Sequence, residues 1–236
     1  MTTPAHPSAE QVLASIEQAG GEIQDSRTLS PVQMLPLNEQ ASRILQSSSD
    51  AQDKDDLQAE EAAHKAAAAW QIGLQGILLS LQSKEMINFR SIDAQPLFLT
   101  LDGRQTIRLG SPEYRLWSAL PETGEGRSQP DLESMLGKDT FKLAQSRAFR
   151  NKIVRRLPDG TFARAESTLD QQLGDETRSE LVELAKTGKL QGEGADKKIA
   201  ELKKRKMVGQ RKLLYFSMAK GPQFALTVQK LSLIHI

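Results

Sequence analysis

The chain contains no cysteine. Disulfides and thiolate metal sites are therefore excluded, and the composition fits a reducing compartment. Histidine is nearly as scarce: His6, His64 and His235 lie far apart, so the sequence offers no metal-ligating cluster. Aromatic residues make up only 5% of the 236, too few for one large core, which points to several small helical modules. No apolar run approaches the ~20 residues of a membrane-spanning helix. The opening MTTPAHPSAE lacks the basic and apolar regions of a signal peptide. No membrane association is expected, and the expected location is the cytosol. Catalytic signatures are missing as well. There is no G-x-x-x-x-G-K, no G-x-G-x-x-G after a strand, no H-E-x-x-H and no G-x-S-x-G. Gly188–Gly194 reads as a linker. The carboxylate pairs Asp55-Asp56 and Glu60-Glu61 lie in an acidic, low-complexity stretch and read as solvating charges rather than an acid–base couple. No catalytic or metal-binding residue follows from the sequence.

Charge is what the chain does have. The formal net charge of +1 hides an asymmetry. Residues 1–64 carry 3 basic and 11 acidic side chains, and residues 65–236 carry 28 and 19. Such a basic portion points to a polyanionic partner, nucleic acid first, against the alternative of a solvated, mixed-charge surface. The density peaks at Lys197, Lys198, Lys203, Lys204, Arg205, Lys206, Arg211 and Lys212, opposed there only by Glu201.

The periodicity predicts a mainly α chain with small β-wings (α+β), organised as tandem winged-helix-like modules. Ser8 is placed to cap an amphipathic helix to Gln18, stopped by Gly20-Gly21. Ser26–Leu29 reads as the start of a second helix, interrupted by Pro31 and Pro36. Ser47–Asp56 reads as a disordered acidic loop, followed by an Ala-rich helix on which His64 is an exposed surface residue. Ala66–Lys84 is a strong helix, with Trp70, Ile72, Leu74, Ile77, Leu78 and Leu81 as its apolar stripe. Met86–Ser91 and Pro96–Thr100 follow as two short strands, completing a winged-helix pattern over 1–110. The pattern repeats over 111–168. Ser111-Pro112 starts a helix, Pro130–Leu136 makes a second, and Asp139 or Thr140 caps a third over Phe141–Ile153. Asp159-Gly160 then tips a hairpin wing. The segment 169–230 holds a helix over Asp170–Lys186, the basic helix, and a hairpin of Leu213–Met218 with Phe224–Val228 across Gly221-Pro222.

Three stretches together carry a resemblance. LTLDGRQTIRLGSPEYRLWSALP at 99–121, RSELVELAKTG at 178–188 and IAELKKRKMVGQRKLLYFSMAKGPQFALTV at 199–228 resemble the N-terminal region of the alpha subunits of eukaryotic, fungal-type cytosolic phenylalanine–tRNA ligases. Order and spacing agree across all three, and ELKKRKMV is the most specific phrase. The resemblance implies winged-helix modules that contact transfer RNA, placed before a class II catalytic domain. In the complete enzyme that domain uses ATP and magnesium to join phenylalanine to its tRNA, within a heterotetramer of two alpha and two beta subunits. Two departures accompany it. Residues 31–65 read as an insertion into the first module. Leu231–Ile236 reads as an artefactual tail on a chain that lacks the catalytic domain and is inactive alone, so His235 carries no role.

The expected function is tRNA binding by shape and backbone charge, without cofactor in this segment. The candidate contacts are Lys203, Lys204, Arg205, Lys206, Arg211 and Lys212, followed by Arg147, Arg150 and Lys152. Two alternatives remain: a winged-helix DNA-binding regulator, and a structural module that docks the beta subunit or the catalytic domain.

Overall fold

The computed structural model describes residues 5–32, 37–47, 49–168 and 173–228. They form two compact units that interleave along the chain. The first comprises 1–35, 55–98 and 210–236, and the second 36–54 and 99–209. This division differs from the consecutive segments 1–110, 111–168 and 169–230 suggested by the sequence. The tail 231–236 and the calls on Pro36 and Asp170 lie outside the described residues.

In the first unit, α1 (Ala9–Gln18) opens on a capping box. The Ser8 hydroxyl accepts from the Gln11 amide at 3.1 Å, and the Gln11 side chain accepts from the Ser8 amide at 2.7 Å. A two-residue strand, β1 (Glu22–Ile23), and a single 3₁₀ turn at Ser26–Leu29 follow, in place of the expected second helix. Next in chain order are α2 (Leu37–Gln46), which belongs to the second unit, and α3 (Asp50–Gln82), 33 residues long. It runs through the stretch read as a disordered loop, because Asp50 and Asp53 lie at its N-terminal end, where carboxylates complement the helix dipole, and both find a cationic partner described below. Val12, Leu13 and Ile16 of α1 join Trp70, Leu74, Leu78 and Leu81 of α3 in one core with Ile23, Met86, Ile87, Phe216 and Met218. Ile72, placed in the apolar stripe by its spacing, is 64% exposed.

The sheet of this unit corrects two expected hairpins. Its order is β1-β7-β2, antiparallel, with β2 at Ile87–Ala94 and β7 at Leu213–Lys220. Thus β2 pairs along its whole length with β7, from Ile87 opposite Lys220 to Ala94 opposite Leu213. It does not pair with β3 (Leu97–Leu99), whose partner is β6 (Val208–Gln210). Residues 224–228 form no strand. Packing decides this pairing: Phe216 meets Phe89 edge-on at 5.6 Å, and its amide donates to the buried Ser26 hydroxyl at 2.9 Å, which donates to Gln71 at 2.7 Å. Gly221 is not the centre of a turn between strands. Its amide donates to the Met86 carbonyl at 2.9 Å, and a Cβ there would collide with the backbone of Glu85–Ile87.

In the second unit, Thr100 caps α4 (Leu101–Leu109), Ser111 caps α5 (Pro112–Ala119) with Pro112 at its first position, and Ser128 caps α6 (Gln129–Leu136). The next helix, α7 (Lys138–Arg150), starts directly from Gly137 with no side-chain cap, so neither Asp139 nor Thr140 is its cap. The hairpin of β4 (Val154–Arg156) and β5 (Phe162–Arg164) turns at Asp159-Gly160 as expected. Leu116, Trp117, Leu132, Phe141, Ala144, Ala148, Ile153 and Phe162 pack into its core, with Phe141 edge-on to Phe162 at 5.5 Å. Three helices and a wing thus occupy 111–166, followed by α8 (Glu176–Thr187) and α9 (Ala195–Lys204). Arg108 of α4 pairs with Asp50 and with the fully buried Asp53, at 3.3 Å in the latter case. These two aspartates, in the stretch read as a disordered loop, are therefore structural partners of Arg108.

Candidate nucleic-acid interface

The basic segments are positioned by one local device used three times. At the end of α3, the Met86 amide reaches the Leu81 carbonyl (3.1 Å) and the Glu85 amide reaches the Gln82 carbonyl (2.9 Å). At the end of α7, Ile153 reaches Ala148 (3.0 Å) and Lys152 reaches Phe149 (3.0 Å). At the end of α9, Met207 reaches Leu202 (3.0 Å) and Lys206 reaches Lys203 (2.9 Å). Each is a Schellman ending in which a left-handed residue is followed by a buried apolar one and then a strand. The left-handed residues are Glu85, Lys152 and Lys206, with φ of 56°, 55° and 58°, and none is glycine. Sequence reading missed this repeat. Its signal is nonetheless present in the aligned words LQSKEMI, AFRNKIV and LKKRKMV.

Arg205, one residue before the third junction, turns inward. Its Nη2 donates to both carboxylate oxygens of Glu113 of α5 at 2.9 and 2.8 Å, and its Nη1 donates to the Thr177 hydroxyl of α8 at 2.9 Å, with only 14% of its side chain exposed. Burial lowers the Arg205 pKa, and Glu113 opposes the shift. Arg147 of α7 lies 3.5 Å from the same Glu113 and pairs with Glu201 of α9, which Arg150 also meets at 3.3 Å. The Arg147 contact, ahead of the cost of burial, holds the Glu201 carboxyl below its usual value. The network therefore ties α5, α7, α8 and α9 together. Arg147 and Arg205 are occupied within it, and Arg150 remains largely exposed. Neither Glu113 nor Thr177 stood out in the sequence, since a carboxylate at the start of α5 looks like any other first-turn acid.

The lysines behave differently. Lys142, Lys152, Lys204 and Lys206 are exposed, and Lys203 is half-buried. Among the described residues, no ion pair engages any of these five. Lys198, by contrast, is held by Glu180 at 2.7 Å. Arg211 and Lys212 belong to the first unit, where Arg211 lies over the Phe98 ring at 4.0 Å and Lys212 is exposed. His64 is in that unit too. It is half-buried rather than exposed, and burial, with the Arg211 charge, lowers its pKa while a backbone hydrogen bond with Lys212 opposes this. Among the described residues, no group of three or more His, Asp or Glu is arranged to hold a metal ion, and no helix is long and apolar enough to cross a membrane.

Residues 111–166, the three-helix module with its wing, match the family described as PheRS DNA binding domain 3. The chain is 32% identical over 158 residues to the phenylalanine–tRNA ligase alpha subunit of Saccharomyces cerevisiae, covering 65% of this chain and 31% of that protein. With the alpha subunit of Schizosaccharomyces pombe it shares 30% identity over 158 residues, covering 67% and 30%. The chain is homologous to the N-terminal region of eukaryotic phenylalanine–tRNA ligase alpha subunits. It spans about 30% of the length of these relatives. The probable phenylalanine–tRNA ligase alpha subunit of Encephalitozoon cuniculi is similar over a comparable span, at 30% identity over 151 residues.

Proposed function

We propose that this chain is a tRNA-binding region of a phenylalanine–tRNA ligase alpha subunit and holds tRNA by shape and backbone charge, with no chemistry of its own. The observation that carries this reading is the set of lysines without acidic partners at and beyond the ends of α7 and α9, beside a module matching a nucleic-acid-binding family. Lysines placed on phosphates release counterions, so affinity falls steeply with salt. An A-form stem has a major groove too deep and narrow for side chains to read, which favours contacts to the backbone over base reading. In the complete enzyme, ATP and magnesium would serve a catalytic domain that joins phenylalanine to its tRNA, in the cytoplasm and in a tetramer with beta subunits.

The second reading is duplex DNA binding. It is favoured by the family's description and by the exposed Lys142, Ser146 and Arg150 on one face of α7. A mobility-shift titration of the whole chain against tRNA and against duplex DNA separates the two. Tighter, salt-sensitive binding of tRNA supports the tRNA reading and preference for duplex DNA supports the other. No binding of either leaves the chain as a subunit-docking module.

A further inference from the structure

The three helix endings share their hydrogen bonds, their left-handed residue and their buried apolar successor, but not their charge. The left-handed position disfavours any side chain with a Cβ, and glycine is its usual occupant. Here it holds Glu85 in the first unit and Lys152 and Lys206 in the second. A cation at a helix C-terminus interacts favourably with the helix dipole, which would account for the lysines alone. Glu85 removes that account, because the same ending forms after α3 with the unfavourable sign. The fold therefore does not require a lysine at these positions.

The two helices that carry the lysine endings are also tied to each other. Arg150, the last residue of α7, meets Glu201, about one turn before the end of α9, at 3.3 Å, and Arg147 pairs with the same carboxylate. Lys152 and Lys206 continue from those ends, both exposed and without an ion pair among the described residues. Glu201, the acid that joins the two helices, is already paired with Arg147 and Arg150.

We infer that the paired endings of α7 and α9 form one phosphate-contacting surface, with Lys152 and Lys206 as its two anchoring contacts to the sugar-phosphate backbone of RNA. Glu85 marks the equivalent ending of the first unit as lying outside that surface. The inference rests on the tRNA-binding reading and adds to it which cations are retained against backbone strain for that purpose.

Glycine provides the test, since it removes the charge and relieves the strain together. The variant Lys152→Gly/Lys206→Gly is expected to keep or raise its unfolding midpoint, by about 2 °C per site. Its tRNA affinity is expected to fall about tenfold, and its log–log salt slope by about 1 per lysine. Lys152→Asn/Lys206→Asn, neutral and tolerant of the left-handed region, is expected to lose the same affinity. Glu85→Gly is expected to gain stability with tRNA affinity unchanged. Wild-type affinity and slope in both double variants overturn the inference while leaving the tRNA reading intact. A wild-type chain that binds no tRNA overturns the reading itself.

Discussion

The two units are held together by different materials. The first is built on a continuous apolar core around Trp70 and Phe216, and its buried Ser26–Gln71 link is uncharged. The second adds buried charge to its apolar core: Glu113 is 6% exposed beneath Arg205 and Arg147, Asp53 is fully buried against Arg108, and Arg164 lies over Trp117 at 4.0 Å. The difference teaches that a dense basic stretch is not the same as available charge. In the second unit the arginines, whose planar fork suits carboxylates, are largely engaged in structure, and the lysines are left facing solvent.

The comparison can be broken most directly through stability, because each unit holds one of the chain's two tryptophans, Trp70 and Trp117. Glu113→Ala leaves two arginines without their buried partner and is expected to cost about 3–5 kcal/mol. In denaturant, the Trp117 signal, read in a Trp70→Phe background, should shift far more than the Trp70 signal read in a Trp117→Phe background. Phe216→Ala, also about 3–5 kcal/mol from the cavity it leaves, should do the reverse. Equal shifts of both signals in each variant would erase the distinction between the units.

A smaller effect sharpens it. Ser26→Ala strands the Phe216 amide and the Gln71 carbonyl oxygen in the first core and is expected to cost about 1–3 kcal/mol, visible in the Trp70 transition.

The smallest effect is in pH dependence. Burial, with the Arg211 charge, holds the folded pKa of His64 below the usual histidine value. The unfolded chain therefore takes up the proton first, and first-unit stability begins to decline as pH falls below about 6.5. The hydrogen bond from Arg147 holds the folded pKa of Glu201 below the usual glutamate value. Its contribution is complete above that value and disappears as pH falls through the lower folded pKa. Equilibrium unfolding as a function of pH should show a first-unit decline beginning near neutrality that His64→Gln removes, and a second-unit decline confined to stronger acid that Glu201→Gln removes.

What was legible in the sequence was local. The Ser8 box, Pro112 after Ser111, Gly137 after Leu136 and Asp159-Gly160 each act within a few residues, and the helices and wing they define stand as read. What was not legible depended on distant partners. The acidic stretch at 47–56 reads as disordered until Arg108 is placed beside Asp50, 58 residues away. The β7 strand reads as half of a hairpin until Ser26 meets Phe216, across 190 residues. The site divides in the same way. The density of cations from Lys197 to Lys212 is plain, but Arg205 looks as available as its neighbours until Glu113 is found 92 residues earlier.

The central claim, that the location of charge rather than its total amount binds the polyanion, is tested most directly by exchanging sign between two equivalent helix endings. Glu85→Lys/Lys206→Glu leaves the net charge at +1, and each position already accommodates a charged residue in the left-handed conformation. Measured against tRNA at a fixed salt concentration, the exchanged chain is predicted to bind about tenfold more weakly than the original. Unchanged affinity would contradict the account.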